Sequence, residues 1–189
     1  MGVDHDRAAA AVVELLAALG EDPSRPELAQ TPGLVAQALG EFVEGLGVDA
    51  RTFLTALEPA PTDAEPVLVT NIAVRSLCEH HLMPFIGKAH LAYVPGEFVT
   101  GLGNLTRVVQ TVAAKPQIQE RLGEEVAQTL EDGLGANGVL VVLDMAHNCV
   151  RARGAQNVDS RTITIASRGS LAEPAARAEL IALIGDARG

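Results

Sequence analysis

Residues 67–76 read VLVTNIAVRS and residues 86–94 read IGKAHLAYV, and this pair of β-prone runs, closed by Pro95-Gly96, decides the fold. On the C-terminal side, residues 104–114 and 117–134 carry helical patterns broken at Lys115-Pro116. Leu122, Val126, Thr129 and Leu130 give the second of these an apolar face. Residues 138–153 (GVLVVLDMAHNCVRAR) and 161–167 (RTITIAS) read as strands, and 175–185 as a short closing helix. On the N-terminal side, residues 57–66 (LEPAPTDAEP) are rich in proline and acid and read as an exposed connection. Before them, residues 7–19 read as a helix stopped by Gly20. Thr31-Pro32 reads as an N-cap with proline at the first helical position. The helix it opens repeats Leu34, Val35, Ala38, Leu39, Phe42 and Val43 and ends near Gly45.

Strand pairs separated by a helix pair do not give the alternation of a parallel sheet. They predict an α+β domain, an antiparallel sheet covered on one face by helices, with helices ahead of it. The divisions are an N-terminal helical region over 1–56, the sheet-bearing domain over 57–171 and a C-terminal helix and tail over 172–189. The other sheet face needs a partner, which predicts an oligomer.

The 189 residues fit one domain with a sizeable core, and 48% hydrophobic content is that of a globular chain. A formal net charge of -10 with no Lys/Arg run argues against a nucleic-acid partner. The apolar stretch from Ala8 to Leu19 carries Glu14 and follows Asp4 and Asp6, unlike a secretory signal. No segment approaches the roughly 18 apolar residues of a membrane span. The expectation is a cytoplasmic protein without a membrane partner, and Cys78 and Cys149 are too few for a disulfide scaffold.

Two clusters carry chemistry. Cys78-Glu79-His80-His81 lies between two strands, where a turn directs Cys78 and His81 to one metal ion. His147-Asn148-Cys149 lies late in an apolar run read as strand, where alternation puts His147, Cys149, Arg151 and Arg153 on one face. Zinc prefers cysteine and histidine, and a catalytic zinc keeps three protein ligands and one open position. Cys78, His81 and Cys149 supply three. His80 and His147 are then acid/base groups beside water whose pKa zinc lowers toward about 7. Duller readings stay open: two buried apolar cysteines, a Cys78–Cys149 disulfide, or a closed structural zinc with His80 or His147 as fourth ligand. Arg151 reads equally as a solvated residue.

At these residues the sequence resembles the GTP cyclohydrolase I family. The strings are SLCEHHL (76–82), GKAHLAYVP (87–95), KPQIQERL (115–122) and HNCVRARG (147–154), with DPSRPELAQTP (22–32) resembling the family's N-terminal entry. The resemblance implies the tunnelling fold, whose subunits join into β-barrel rings, commonly a two-ring decamer. It implies hydrolysis of GTP at C8, release of formate, rearrangement of the ribose and closure of a pterin ring to give dihydroneopterin triphosphate, a precursor of folate and other pterins. By position it implies Cys78, His81 and Cys149 as zinc ligands and His80 and His147 as acid/base histidines. Glu120 matches the carboxylate that grips the guanine edge, Gln119 a neighbouring pocket position, and Arg107 and Arg153 cations for the triphosphate.

Departures gather at the phosphate end. Leu34 stands where the family usually has arginine, and GLGN (101–104) replaces GLSK, so Gly103 and Asn104 stand for a serine and a lysine. Gln156-Asn157 also lacks a basic residue often found there. Each lost charge-assisted contact forfeits roughly 1.5–3 kcal/mol. The sequence is thus read as an enzyme opening the guanine ring of GTP. The alternatives are a paralog acting on a less phosphorylated nucleotide or stopping at a ring-opened product, another tunnelling-fold activity on a pterin or deazapurine, and an idle nucleotide-binding paralog.

Overall fold

The computed structural model describes residues 2–55, 57–153 and 157–186. Gln156, one of the phosphate-end departures, lies outside the described residues. Two helices open the chain, α1 (His5–Ala18) and α2 (Thr31–Glu41), and they pack on each other. The Asp4 carboxylate caps α1 by accepting from the Arg7 backbone N–H. Thr31 is not the expected N-cap: it is the first helical residue, Gln30 precedes it, and no side chain caps the helix.

The centre is a five-stranded sheet built from β2 (Val67–Cys78), β3 (Pro84–Val94), β5 (Pro116–Gln117), β6 (Gly138–His147) and β7 (Thr162–Gly169), in the order β5-β2-β3-β6-β7. All neighbours are antiparallel except β5, which runs parallel to β2. A small ribbon of β1 (Glu58–Pro59) and β4 (Phe98–Val99) closes the connection before β2. β3 and β6 lie so close at Gly87 that a Cβ there would meet the Asp144 carbonyl oxygen at 2.1 Å, so only glycine fits.

Helices α3 (Leu102–Ala113) and α4 (Gln119–Leu134) cover one face of this sheet, as the pattern predicted. Leu105, Val108, Val109, Leu122, Val126 and Leu130 meet Leu91, Tyr93, Val141 and Leu143 of the sheet in one core. At about 25 cal/mol per Å² of apolar surface, such burial is the main stabilising contribution. The opposite face is only partly bare. The closing helix α6 (Pro174–Asp186) and the turn before it pack Leu171, Leu180 and Ile184 on Ala92, Leu140 and Val142. Ile86, Ile163 and Ile165 on that face stay exposed.

The sequence reading fails at residues 148–153, which are not strand. The ladder stops at the Phe85–His147 pair because Pro84, the next β3 residue, has no N–H to donate, and β7 meets β6 only up to Met145. With no partner on either side, the chain turns into the short helix α5 (Asn148–Arg151). His147, Cys149, Arg151 and Arg153 therefore do not share a strand face.

Candidate metal centre

β2 delivers Cys78 as its last residue, and a tight turn follows. The Leu82 N–H donates to the Cys78 carbonyl at 2.8 Å, and the Cys78 N–H to the Met83 carbonyl at 2.9 Å. The first bond closes one helical turn, which sets residues three apart on one side and so aligns Cys78 with His81. Leu82 takes a left-handed φ of 51°, an uncommon choice for leucine that the surrounding hydrogen bonds impose. The Nδ1 atoms of His80 and His81 each lie 3.9 Å from the Cys78 sulfur.

The turn is tied to α4. β5 pairs beside the end of β2, Leu77 with Pro116 and Cys78 with Gln117, and the Glu79 N–H donates to the Gln117 carbonyl. Arg121 then bridges the two elements: it bonds the Glu79 carboxylate and donates to the Gln117 side-chain oxygen at 2.9 Å. That guanidinium holds the Glu79 carboxyl below its ordinary range. Lys115-Pro116, read in the sequence only as a helix break, thus brings the first turn of α4, with Gln119 and Glu120, to the Cys-Glu-His-His turn.

From the other side, α5 presents Cys149. The ligand atoms of Cys78, His81 and Cys149 all lie within 4.8 Å of one another. Cys78 is buried, Cys149 intermediate and His81 exposed, so the group is walled on one side and open on the other. Both cysteines are free thiols, which removes the disulfide reading. Burial and the adjacent Cys78 sulfur push the Cys149 thiol above its ordinary range. Two thiols and an imidazole converging on one point fit a zinc ion that keeps an open position, and fit the oxygen-seeking magnesium or calcium poorly.

His147 ends β6 beside this group. Its ring stacks on Phe85, centroids 4.6 Å apart and planes 4° from parallel, and its Nε2 lies 2.8 Å from the Gln119 side-chain oxygen. Burial lowers its pKa below the ordinary histidine value, a shift that Glu120 partly opposes. Glu120 itself is exposed in the first turn of α4. Arg153 Nη1 lies 2.7 Å from His81 Nε2, at the open side of the cluster. Arg151 is not free in solvent, since its Nε donates to the Val158 carbonyl. Neither Phe85 nor Arg121 stood out in the sequence, for a phenylalanine in a strand and an arginine in a helix carry no local signal of what they touch.

Arg107 is exposed on α3 and lines a cavity with Glu44, Phe53 and Gln110, whose lining includes none of Cys78, His81, His147 or Cys149. Asn104 uses its amide within the chain, donating to the Thr100 hydroxyl at 3.0 Å and the Thr55 carbonyl at 3.3 Å. Gly103 has open space around it, and Leu34 is 58% exposed. Among the described residues no helix is long and apolar enough to cross a membrane.

The chain is similar to known proteins along nearly its whole length. The profile of the family described as GTP cyclohydrolase I matches residues 8–185. The GTP cyclohydrolase 1 of Leifsonia xyli subsp. xyli is 59% identical over 187 residues, covering 97% of each chain. The protein of that name from Rhodopirellula baltica is 46% identical over 98% of this chain and 81% of its own. That from Streptomyces griseus subsp. griseus is 46% identical over 96% and 90%. On a profile match spanning nearly its whole length and relatives of this similarity, the chain belongs to the GTP cyclohydrolase I family.

Proposed function

We propose that this hydrolase opens the imidazole ring of GTP at C8, releases formate and forms 7,8-dihydroneopterin triphosphate. The observation that carries the reading is the convergence of Cys78, His81 and Cys149 within 4.8 Å. These three would hold zinc, which when bound supplies the Lewis acidity that activates water. The chain's own groups do the rest. Glu120 accepts from the ring N–H and exocyclic amine of guanine, and its exposed place in the first turn of α4 leaves it free to do so. His147, with its ring held by Phe85, and His80, on the exposed turn, take and return protons as the ring opens and formate leaves. Arg153 stands at the open side of the cluster as a donor for phosphate oxygens. Arg107 serves the triphosphate only if a second subunit brings it to this site, since within one chain it lines a separate cavity.

A triphosphate role for Arg107 thus goes with a homo-oligomer, and its ring or decamer form is what the family resemblance implies. Exposed Ile86, Ile163 and Ile165 on the bare sheet face, and an α1 that buries no residue, also support a homo-oligomer. Two free cysteines suit the reducing cytoplasm. A second reading, a paralog for a less phosphorylated guanine nucleotide, draws support from Gly103 and from the internal use of the Asn104 amide.

Incubation of the zinc-loaded protein with GTP, GDP, GMP or guanosine, with formate and product mass measured, tests both. Fastest formation of dihydroneopterin triphosphate from GTP supports the first reading. A faster substrate with fewer phosphates, or formate without a pterin, establishes the second. Absence of formate from all four sinks both and leaves a nucleotide-binding paralog.

A further inference from the structure

Gln119 is one of the polar side chains sealed in the core, only 1% exposed. Its amide nitrogen faces three acceptors: the Leu143 carbonyl at 3.1 Å, the Thr162 carbonyl at 2.9 Å and the Thr164 hydroxyl at 3.1 Å. Backbone carbonyls only accept, so this end of the amide is its NH2 and the orientation of the group is determined. The other end, the oxygen, lies 2.8 Å from His147 Nε2. An amide oxygen also only accepts, so the hydrogen between them belongs to His147 Nε2. In the neutral ring the lone pair then sits on Nδ1. Phe85, fully buried and stacked on the imidazole, fixes the ring plane as well.

We propose that Gln119 is a positioning residue: it holds His147 in the Nε2–H tautomer, so that Nδ1 is the atom that takes and returns the proton. The inference rests on the reading of His147 as an acid/base group. It gives Gln119 a different task from gripping substrate, because both N–H donors are consumed by β6 and β7 and the oxygen is turned to His147. The lock spans three elements, for Gln119 opens α4, Leu143 lies in β6 and Thr162 and Thr164 lie in β7. A ring set by the sheet and a helix at once keeps its orientation while substrate enters and product leaves.

The test begins with the wild-type protein. Zinc-loaded full-length protein carrying 15N-histidine is measured by magic-angle-spinning NMR at mildly alkaline pH, and His147 is assigned by the signals lost in His147→Asn. A protonated Nε2 with an unprotonated Nδ1 supports the lock, and a protonated Nδ1 overturns it whether or not the protein turns GTP over. Gln119→Leu then removes the acceptor at similar size. Its kcat should fall about 10–100-fold with KM for GTP within about twofold, and His147 should lose its single tautomer. A raised KM at unchanged kcat would instead make Gln119 a substrate contact and sink the proposal. Thr164→Val, which removes one anchor of the amide and keeps its shape, should lower kcat in the same direction by a smaller factor. Should Gln119→Leu not fold, the wild-type tautomer and Thr164→Val decide. A protein that releases no formate from GTP yet shows the Nε2–H tautomer refutes the functional reading and leaves the lock standing.

Discussion

Phe85 and His147 are paired in register across β3 and β6, and their rings lie parallel at 4.6 Å. The last rung of the ladder thus also holds the imidazole, so the sheet sets the plane of a group expected to move protons. Phe85→Leu keeps an apolar side chain but gives up the stacked ring. Stability should fall by about 1–2 kcal/mol, from lost packing and the lost aromatic pair. The kcat should fall more than KM changes, because the imidazole gains freedom while the guanine contacts are untouched. Denaturant unfolding and steady-state kinetics on one preparation check both numbers.

Metal content gives the most direct check on the cluster. Cys149→Ala removes one of three donors, and metal per chain, measured by elemental analysis, should drop from about one to a small fraction. A chelator should abolish turnover by the wild type and added zinc should restore it. Because a ligand that binds only the folded state stabilises it, zinc should also raise the wild-type Tm and leave that of Cys149→Ala nearly unmoved. Full metal content in Cys149→Ala would show that the donors lie elsewhere.

How far the sequence was legible follows from the range of each interaction. The apolar faces of α3, α4 and β6 are periodic, and periodicity is a local signal, so the core and the α+β order could be read in advance. Residues 148–153 continue the alternation of β6, and what ends the strand is a proline on β3, distant in sequence, together with a β7 that starts too late. The Cys, Glu and His residues of the site stand out by type and by family resemblance. Their supports are less legible: Arg121 finds Glu79 only once β5 lies beside β2, and Gln119, which the resemblance marks only as a pocket position, finds Thr162 and Thr164 only once α4 lies across β7.

Glu120 is exposed at the start of α4, so its removal separates binding from stability. Surface substitutions of this kind shift stability by no more than about 0.5 kcal/mol. The guanine edge, however, would lose an acceptor for two N–H donors. Glu120→Ala should therefore unfold at nearly the wild-type denaturant midpoint while kcat/KM for GTP falls by about 100-fold, a loss of some 3 kcal/mol in binding the transition state. An unchanged kcat/KM would return Glu120 to an ordinary solvated charge.

The phosphate end makes the sharpest prediction because the chain has room for the missing groups. A Cβ at Gly103 meets nothing within 4 Å, so Gly103→Ser adds a hydroxyl without a clash. Asn104→Lys is less simple. It forfeits the bonds to Thr55 and Thr100, a cost of about 1 kcal/mol each at most, but places a cation where the amide was occupied within the chain. If GTP is the substrate and this segment meets its triphosphate in the assembled protein, the double variant should lower KM for GTP by about tenfold, the effect of one charge-assisted contact. KM for guanosine should stay constant, because a nucleoside presents no phosphate to either side chain. Titration of both substrates against both proteins reads this out. Equal changes for GTP and guanosine would mean that the segment does not meet the phosphates, and Gly103 and Asn104 would then have no bearing on which nucleotide is used.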